Sequence, residues 1–334
     1  MYRVVLIDDE RIIVEGLRRV VKWAQYHCEV VGTAYDAASS AAMIRSTRPD
    51  IVFTDIRMPD QDGLTMLAGL KSEFPGLQIA VLTGYRDFSY AQEAIRLGCP
   101  ALGFSGHSYA FYDAACMPKE NIRPYQAEIR RLQSAYSGQI RILLGIEQDY
   151  YSDEATDAYE YVIGAVHNLR RGGEYRPLDY TRDRLIATVN DWFGGDWYAL
   201  AEEYYALVGD LYEKTHCRVI AHFDLIEKFN ETGDLFDRTH PRYRAAALAA
   251  LDRLKSAPVL FEINTGAIAR GYRTSPYPDP FLLRAMQDAG VKLMLNSDCH
   301  DRRFLLCQFE RFSPLVSPAS FSPEFLLDST AFAP

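Results

Sequence analysis

Leu102-Gly103-Phe104-Ser105-Gly106-His107-Ser108-Tyr109 is a short apolar strand that opens into glycine, serine and histidine. Ahead of it, apolar strands alternate with helical segments, and acidic residues stand where strands end. Behind it the alternation resumes, but the strand-end residues become histidine, glutamate and aspartate. A strand has two edges, so Ala101–Ser105 is able to complete the sheet before it, the sheet after it, or both. Filling both edges spares buried backbone groups that cost about 1–3 kcal/mol each when unpaired. The expectation is a strand shared by two sheets, with Gln78–Thr83 on one side and Arg141–Ile146 on the other.

Before this stretch, Tyr2–Ile7 reads as a strand leading to Asp8-Asp9-Glu10, and the helix after it carries Ile13, Leu17, Val20 and Val21 on one face. Glu29–Thr33, Ile51–Thr54 and Gln78–Thr83 read as further strands, with helices at Ala38–Ser46, Leu64–Phe74 and Phe88–Leu97. Such alternation means a parallel, doubly wound sheet with its chemistry at the carboxyl ends of the strands. Asp8, Asp9 and Asp55 stand at two of those ends, an oxygen-only set that suits Mg²⁺ beside a phosphoryl group. Helix capping would account for Asp9 alone. The stretches Leu6-Ile7-Asp8-Asp9-Glu10, Phe53-Thr54-Asp55-Ile56-Arg57-Met58-Pro59 and Leu82-Thr83-Gly84-Tyr85 resemble a bacterial response-regulator receiver domain. The resemblance covers residues 1–97 and implies a flavodoxin-like α/β sheet. It further implies Asp55 as phosphoryl acceptor, Asp8 and Asp9 as Mg²⁺ ligands, Thr83 as the switch hydroxyl, and a sensor histidine kinase as partner. The family carries lysine and then proline on its fifth strand, where this chain has Ser105 and Gly106, and its fifth helix is missing here. Without that lysine, phosphotransfer is expected to be poor.

After the stretch, chemistry-bearing residues follow successive apolar strands. Ile142–Ile146 leads to Glu147, Tyr161–Val166 to His167, and Arg218–Ala221 to His222. Val259–Ile263 leads to Asn264, and Val291–Asn296 to Ser297-Asp298-Cys299-His300. Helical segments such as Pro124–Tyr136 and Arg182–Asn190 lie between. Strand–helix repeats with polar strand ends describe a β/α barrel with its site on one rim. Taken singly, His167 reads as a structural hydrogen bonder and Glu147 as a solvated acid. Taken together, His107, Glu147, His167, His222, Asp298 and His300 are a mixed nitrogen and oxygen set suited to Zn²⁺, Fe or Mn²⁺. His27, His216 and His240 fall outside this pattern.

These stretches resemble the histidinol-phosphatase branch of the PHP (polymerase and histidinol phosphatase) superfamily across residues 93–309. The match is carried by Gly103-Phe104-Ser105-Gly106-His107-Ser108-Tyr109, Leu144-Gly145-Ile146-Glu147-Gln148-Asp149-Tyr150-Tyr151 and Val162-Ile163-Gly164-Ala165-Val166-His167. It continues through His222-Phe223-Asp224-Leu225-Ile226-Glu227-Lys228-Phe229-Asn230, Glu262-Ile263-Asn264-Thr265-Gly266 and Ser297-Asp298-Cys299-His300. The resemblance implies a distorted seven-stranded barrel that holds three metals and hydrolyses L-histidinol phosphate to histidinol and phosphate. It implies His107, Glu147, His167, His222, Asp298 and His300 as ligands, with Asp298 and His300 also in the catalytic set. Arg270 and Arg273 read either as phosphate clamps, because guanidinium forks match phosphate oxygens, or as solvated loop arginines. The family opens with a strand carrying His-x-His, and no His-x-His occurs in this chain. The expectation is an incomplete PHP-type barrel, fewer than three metals per chain, and reduced activity.

The 334 residues suffice for two domains, and 48% hydrophobic against 24% charged residues allow a sizeable core. A net charge of -9 argues against nucleic acid as main partner. Six scattered cysteines without a C-x-x-C pair suit reduced thiols, and no apolar run reaches the ~18 residues of a membrane span. A cytoplasmic, non-membrane protein is expected. The reading places a receiver-like domain at 1–97, a barrel at 98–312 and a loose tail at 313–334. Helix Phe88–Leu97 runs through Gly98 into the shared strand without a linker, as in a join within similar strand–helix units. A metallohydrolase leads this reading, ahead of a phosphorelay receiver and of a folded scaffold with neither activity.

Overall fold

A computed structural model describes residues 1–8, 11–54, 70, 73–81 and 86–327. Asp9, Asp55 and Thr83 lie outside the described residues, as does most of the expected helix Leu64–Phe74. The chain divides into two compact units, Met1–Arg86 and Asp87–Pro334. The division falls earlier than the boundary expected after Leu97.

The first unit holds strands β1 (Tyr2–Ile7), β2 (Cys28–Ala34), β3 (Ile51–Thr54) and β4 (Gln78–Val81), in the order β2-β1-β3-β4 and all parallel. Alternation along β1 explains its central place. Val5 and Ile7 pack with Ala34, Ile44, Val52, Leu70 and Leu77 on one face, while Val4 and Leu6 pack with Val14 and Cys28 on the other. A strand apolar on both faces needs layers above and below it, which is the doubly wound arrangement read from the sequence. The first helix, Arg11–Val20, buries Val14 and leaves Val20 exposed, so the apolar face expected through Val20 is displaced. Asp8 is buried at the carboxyl end of β1, with its amide donating to the Ala34 carbonyl.

The second unit is built on β5 (Ala101–His107), β6 (Arg141–Asp149), β7 (Tyr161–Ala165), β10 (Val219–Ile220), β11 (Leu260–Asn264) and β12 (Leu293–Asn296). They form one parallel sheet in the order β12-β11-β10-β7-β6-β5. Its largest core joins Leu200, Tyr204, Tyr205 and Val208 of helix Trp197–Val208 to Tyr243, Ala247 and Leu251 of helix Pro241–Leu254. Inside the curl of the sheet, a Cβ on Gly103 or Gly145 would run into the Tyr161 ring, so glycine there lets one buried tyrosine fill the space.

The shared-strand expectation is corrected. Among the described residues, β4 belongs to the first sheet and β5 to the second, where β5 pairs with β6 over its whole length and stands at the end of the strand order. Helix Arg86–Arg96 gives the reason. Its Ala91 and Ala94 are fully buried against Ile129, Leu132, Ile142 and Leu144, so helix and strand enter the barrel as one unit. The C-terminal segment is also more ordered than expected. Through residue 327 it forms short helical turns, and Phe325, Leu326 and Leu327 pack against the cluster of Leu143, Tyr161 and Val219. Arg218 donates to the carbonyls of Phe325 and Leu326, and Arg141 pairs with Glu324 at 2.6 Å. Three carbonyl or carboxylate partners fix what composition alone reads as loose. Among the described residues, no helix is long and apolar enough to cross a membrane.

Candidate metal centre

Strand register creates the centre. His107 ends β5 directly opposite Glu147 on β6, which puts both side chains on one face of the sheet. His167 follows β7 and His222 follows β10, so both imidazoles arrive from the neighbouring strand ends. His107 Nδ1 lies 3.6 Å from Glu147 Oε2, while His167 Nε2 and His222 Nε2 lie 3.3 and 3.2 Å from Oε1. The imidazole rings of His107 and His222 each stand 5.1 Å from that of His167, centroid to centroid. Ligand atoms of His107, Glu147 and His167 all lie within 4.8 Å of one another, a spacing that fits a single cation.

Burial opposes ionisation of Glu147, but His107 and the hydrogen bonds from His167 and His222 outweigh it, holding the carboxyl well below the usual carboxylate range. Burial likewise opposes charge on His167, while Asp149 and Glu147 raise its pKa well above the ordinary imidazole value. Asp149 lies two residues beyond Glu147 and therefore on the same face. Its Oδ2 sits 3.2 Å from His167 Nδ1 and accepts the His167 amide, and its Oδ1 accepts Tyr112 Oη at 2.7 Å.

Asp298 and His300 gather around Arg270. Arg270 Nη2 donates to Asp298 Oδ2 at 2.9 Å, and Nη1 lies 2.7 Å from His300 Nδ1. Asp298 has φ +43°, a left-handed conformation that aspartate tolerates. A Cβ on Gly266 would lie 2.8 Å from Asp298 Oδ2, so the approach of that carboxylate requires glycine. The link between the two groups is Glu262. Its carboxylate accepts the His222 amide at 2.8 Å, Asn264 Nδ2 at 2.9 Å and the Asn296 side-chain amide, stapling the ends of β10, β11 and β12. Arg273 is buried, donating to the Glu227 carbonyl at 2.9 Å and to Ser275 Oγ at 3.1 Å.

Three groups escaped the sequence reading. Asp149 and Glu262 were recoverable from alternation, since each sits two residues from a site residue on its strand. Asp179 had no such signal. It follows a hairpin, β8 (Asn168–Arg171) paired with β9 (Glu174–Pro177), whose Gly172-Gly173 turn takes positive φ at both positions. That hairpin brings the Leu178 amide onto the His167 carbonyl at 2.8 Å, and so sets Asp179 beside the centre.

The PHP domain model matches residues 88–266, more than half of the chain. The chain belongs to the PHP family. A response regulator receiver domain model matches residues 4–101, so both models claim residues 88–101, most of helix Arg86–Arg96 and the first residue of β5. A crystal structure of a Listeria monocytogenes protein assigned as a histidinol phosphatase is 16% identical and covers 67% of this chain and 92% of that one, with a TM-score of 0.56. That likeness shows the PHP fold, and the open sheet of the second unit is the PHP barrel without full closure. An uncharacterised response regulatory protein of Staphylococcus epidermidis is 42% identical over 96 residues, 29% of this chain and 38% of that protein. The transcriptional regulatory protein YesN of Bacillus subtilis is 36% identical over 98 residues, 29% of this chain and 27% of that protein. The chain thus spans well under half the length of these curated relatives.

Proposed function

We propose that this PHP protein is a metal-dependent phosphomonoesterase of the histidinol-phosphatase type, releasing phosphate from L-histidinol phosphate. One observation carries the reading: three imidazoles from separate strand ends meet on the single carboxylate of Glu147, at 3.2 to 3.6 Å. Imidazole and carboxylate in that ratio fit Zn²⁺, Mn²⁺ or Fe, held by His107, Glu147, His167 and His222. A divalent cation bound there would supply Lewis acidity and charge neutralisation to a phosphate ester.

The chain's own groups divide the remaining work. Glu147 stays ionised, and Asp149 fixes the ring of His167. Arg270, partly exposed between Asp298 and His300, offers guanidinium N–H groups to phosphate oxygens. Arg273, committed to Glu227 and Ser275, holds the loop that carries Arg270. Asp298 and His300 complete the catalytic set from the end of β12. The test is phosphate release from L-histidinol phosphate by protein reconstituted with Mn²⁺ or Zn²⁺. Turnover is expected, and Glu147→Gln is expected to lower it at least about a hundredfold. Absence of release from the loaded protein, or release indifferent to that substitution, overturns the reading.

A further inference from the structure

Asp179 reaches the PHP rim from outside the strand-end pattern. Its position is fixed on three sides. The Leu178 amide bonds to the His167 carbonyl, and Tyr180 Oη donates to Asp113 on the segment after β5. From the turn after His222, Lys228 Nζ donates to the Asp179 carbonyl at 2.6 Å and to its Oδ2 at 3.1 Å. Lys228 is steadied in turn by the Tyr272 ring, 4.8 Å from its ammonium to the ring centroid. These contacts set the rotation of the carboxylate. Among the described residues, no hydrogen bond reaches its other oxygen, Oδ1.

The side chain is mostly buried but keeps 20% of its surface open. The Lys228 ammonium, 3.1 Å from Oδ2, is the fixed positive partner that favours the ionised carboxylate against burial. It also lies within electrostatic reach of Arg270. An anionic acceptor, held rigid beside the imidazole cluster and near a guanidinium, offers what a zwitterionic substrate needs. The arginine suits the phosphate, and the free carboxylate oxygen suits a cationic amine on the same molecule.

We propose that Asp179 is the specificity-determining residue of this site, with its Oδ1 accepting the primary ammonium group of a phosphorylated amino alcohol. The assignment rests on the phosphomonoesterase reading and adds the group that selects for the amine. Lys228 aims the carboxylate by occupying Oδ2. A charge-assisted hydrogen bond to a partly buried carboxylate discriminates strongly against a neutral analogue, which would leave that carboxylate unpaired.

The experiment compares wild type with Asp179→Asn in the Mn²⁺-loaded full chain at pH 8, where imidazole is largely neutral and a primary amine is still charged. The substrates are L-histidinol phosphate and its N-acetyl derivative, which keeps the ring and phosphate and loses the charge. Asp179→Asn is expected to raise KM for L-histidinol phosphate about tenfold with kcat within about twofold, and to leave KM for the acetylated ester unchanged. Asp179→Glu is expected to recover part of the discrimination. Equal effects on both esters would make Asp179 structural and overturn the proposal, as would no effect on either. Loss of bound metal in Asp179→Asn would overturn it by making the residue a ligand. Calorimetric binding of L-histidinol against N-acetyl-L-histidinol supplies a readout independent of turnover. If wild type hydrolyses neither ester, the phosphatase reading fails. Asp179 is then judged by binding alone, where weakened binding of the amine in Asp179→Asn supports it and unchanged binding overturns it.

Discussion

His167 has two ring nitrogens, and the residues around it decide what each one does. Nδ1 faces Asp149 Oδ2 at 3.2 Å, so Nε2 is left to face Glu147 at 3.3 Å, on the side where a cation would sit. A carboxylate behind a ligating histidine fixes its tautomer and raises its basicity. Asp149→Asn is therefore expected to weaken Mn²⁺ or Zn²⁺ binding about 10- to 100-fold, read by competition with a chelating dye. The same contacts give a sign for pH. The His167 pKa is raised above the imidazole range, and a bound cation must displace the proton at Nε2. Metal affinity should then climb with pH and level off only above that raised pKa. Affinity that is flat across the range from acid to mildly alkaline, or untouched by Asp149→Asn, would mean the ring is not a ligand.

At the scale of elements, the turn after β10 carries a cost. Leu225–Glu227 is a buried helical turn. Burial and then neighbouring Asp224 push the Glu227 carboxyl up to about 7 from an ordinary 4.5, against smaller pulls from Tyr243, Arg238 and Arg273. A raised carboxyl pKa means that the folded chain holds a proton the unfolded chain would release. Stability linked to Glu227 is therefore full below about 4.5 and is lost as pH rises through about 7. Glu227→Gln keeps the shape without the charge. It should raise the unfolding free energy at pH 8 by on the order of 1–3 kcal/mol and change it little at pH 5, measured by urea denaturation. Equal shifts at both pH values would show that the charge is not the cause. The sequence exposed some of these elements and hid others for physical reasons. Strands with polar residues at their carboxyl ends were legible, because apolar runs and strand-end histidines are local features. His107 opposite Glu147 followed from placing both strands side by side. Asp179 was illegible, since only the fold of the hairpin after β7 brings it to the rim. Arg273 was misjudged in kind, because nothing local marks a guanidinium that turns inward to the Glu227 carbonyl. The edge of the first unit was misread too, since residues 86–107 fit either sheet by pattern alone.

At the scale of the whole molecule, the question is where one folding unit stops and the next begins. Both family models claim the helix before β5, and pattern alone leaves it between them. Packing gives it to the barrel, since Ala91 and Ala94 are fully buried against Ile129, Leu132, Ile142 and Leu144, with Tyr90 and Ile95 beside them. Alanine at those two positions lets the helix approach closely, and removing it would uncover a strip of aliphatic side chains. Each Å² of apolar surface so exposed costs about 25 cal/mol, which over a helix face sums to several kcal/mol. Two truncations separate the boundaries. A fragment beginning at Asp87 should fold and bind Mn²⁺ or Zn²⁺ with the affinity of the full chain. A fragment beginning at Gly98 should unfold at a markedly lower temperature, bind a hydrophobic dye, and hold metal poorly, because β5 and His107 lose the helix that seats them. Circular dichroism melts and metal titrations of the two fragments supply the measurement. Equal stability in both would return the helix to the receiver and place the boundary after Leu97.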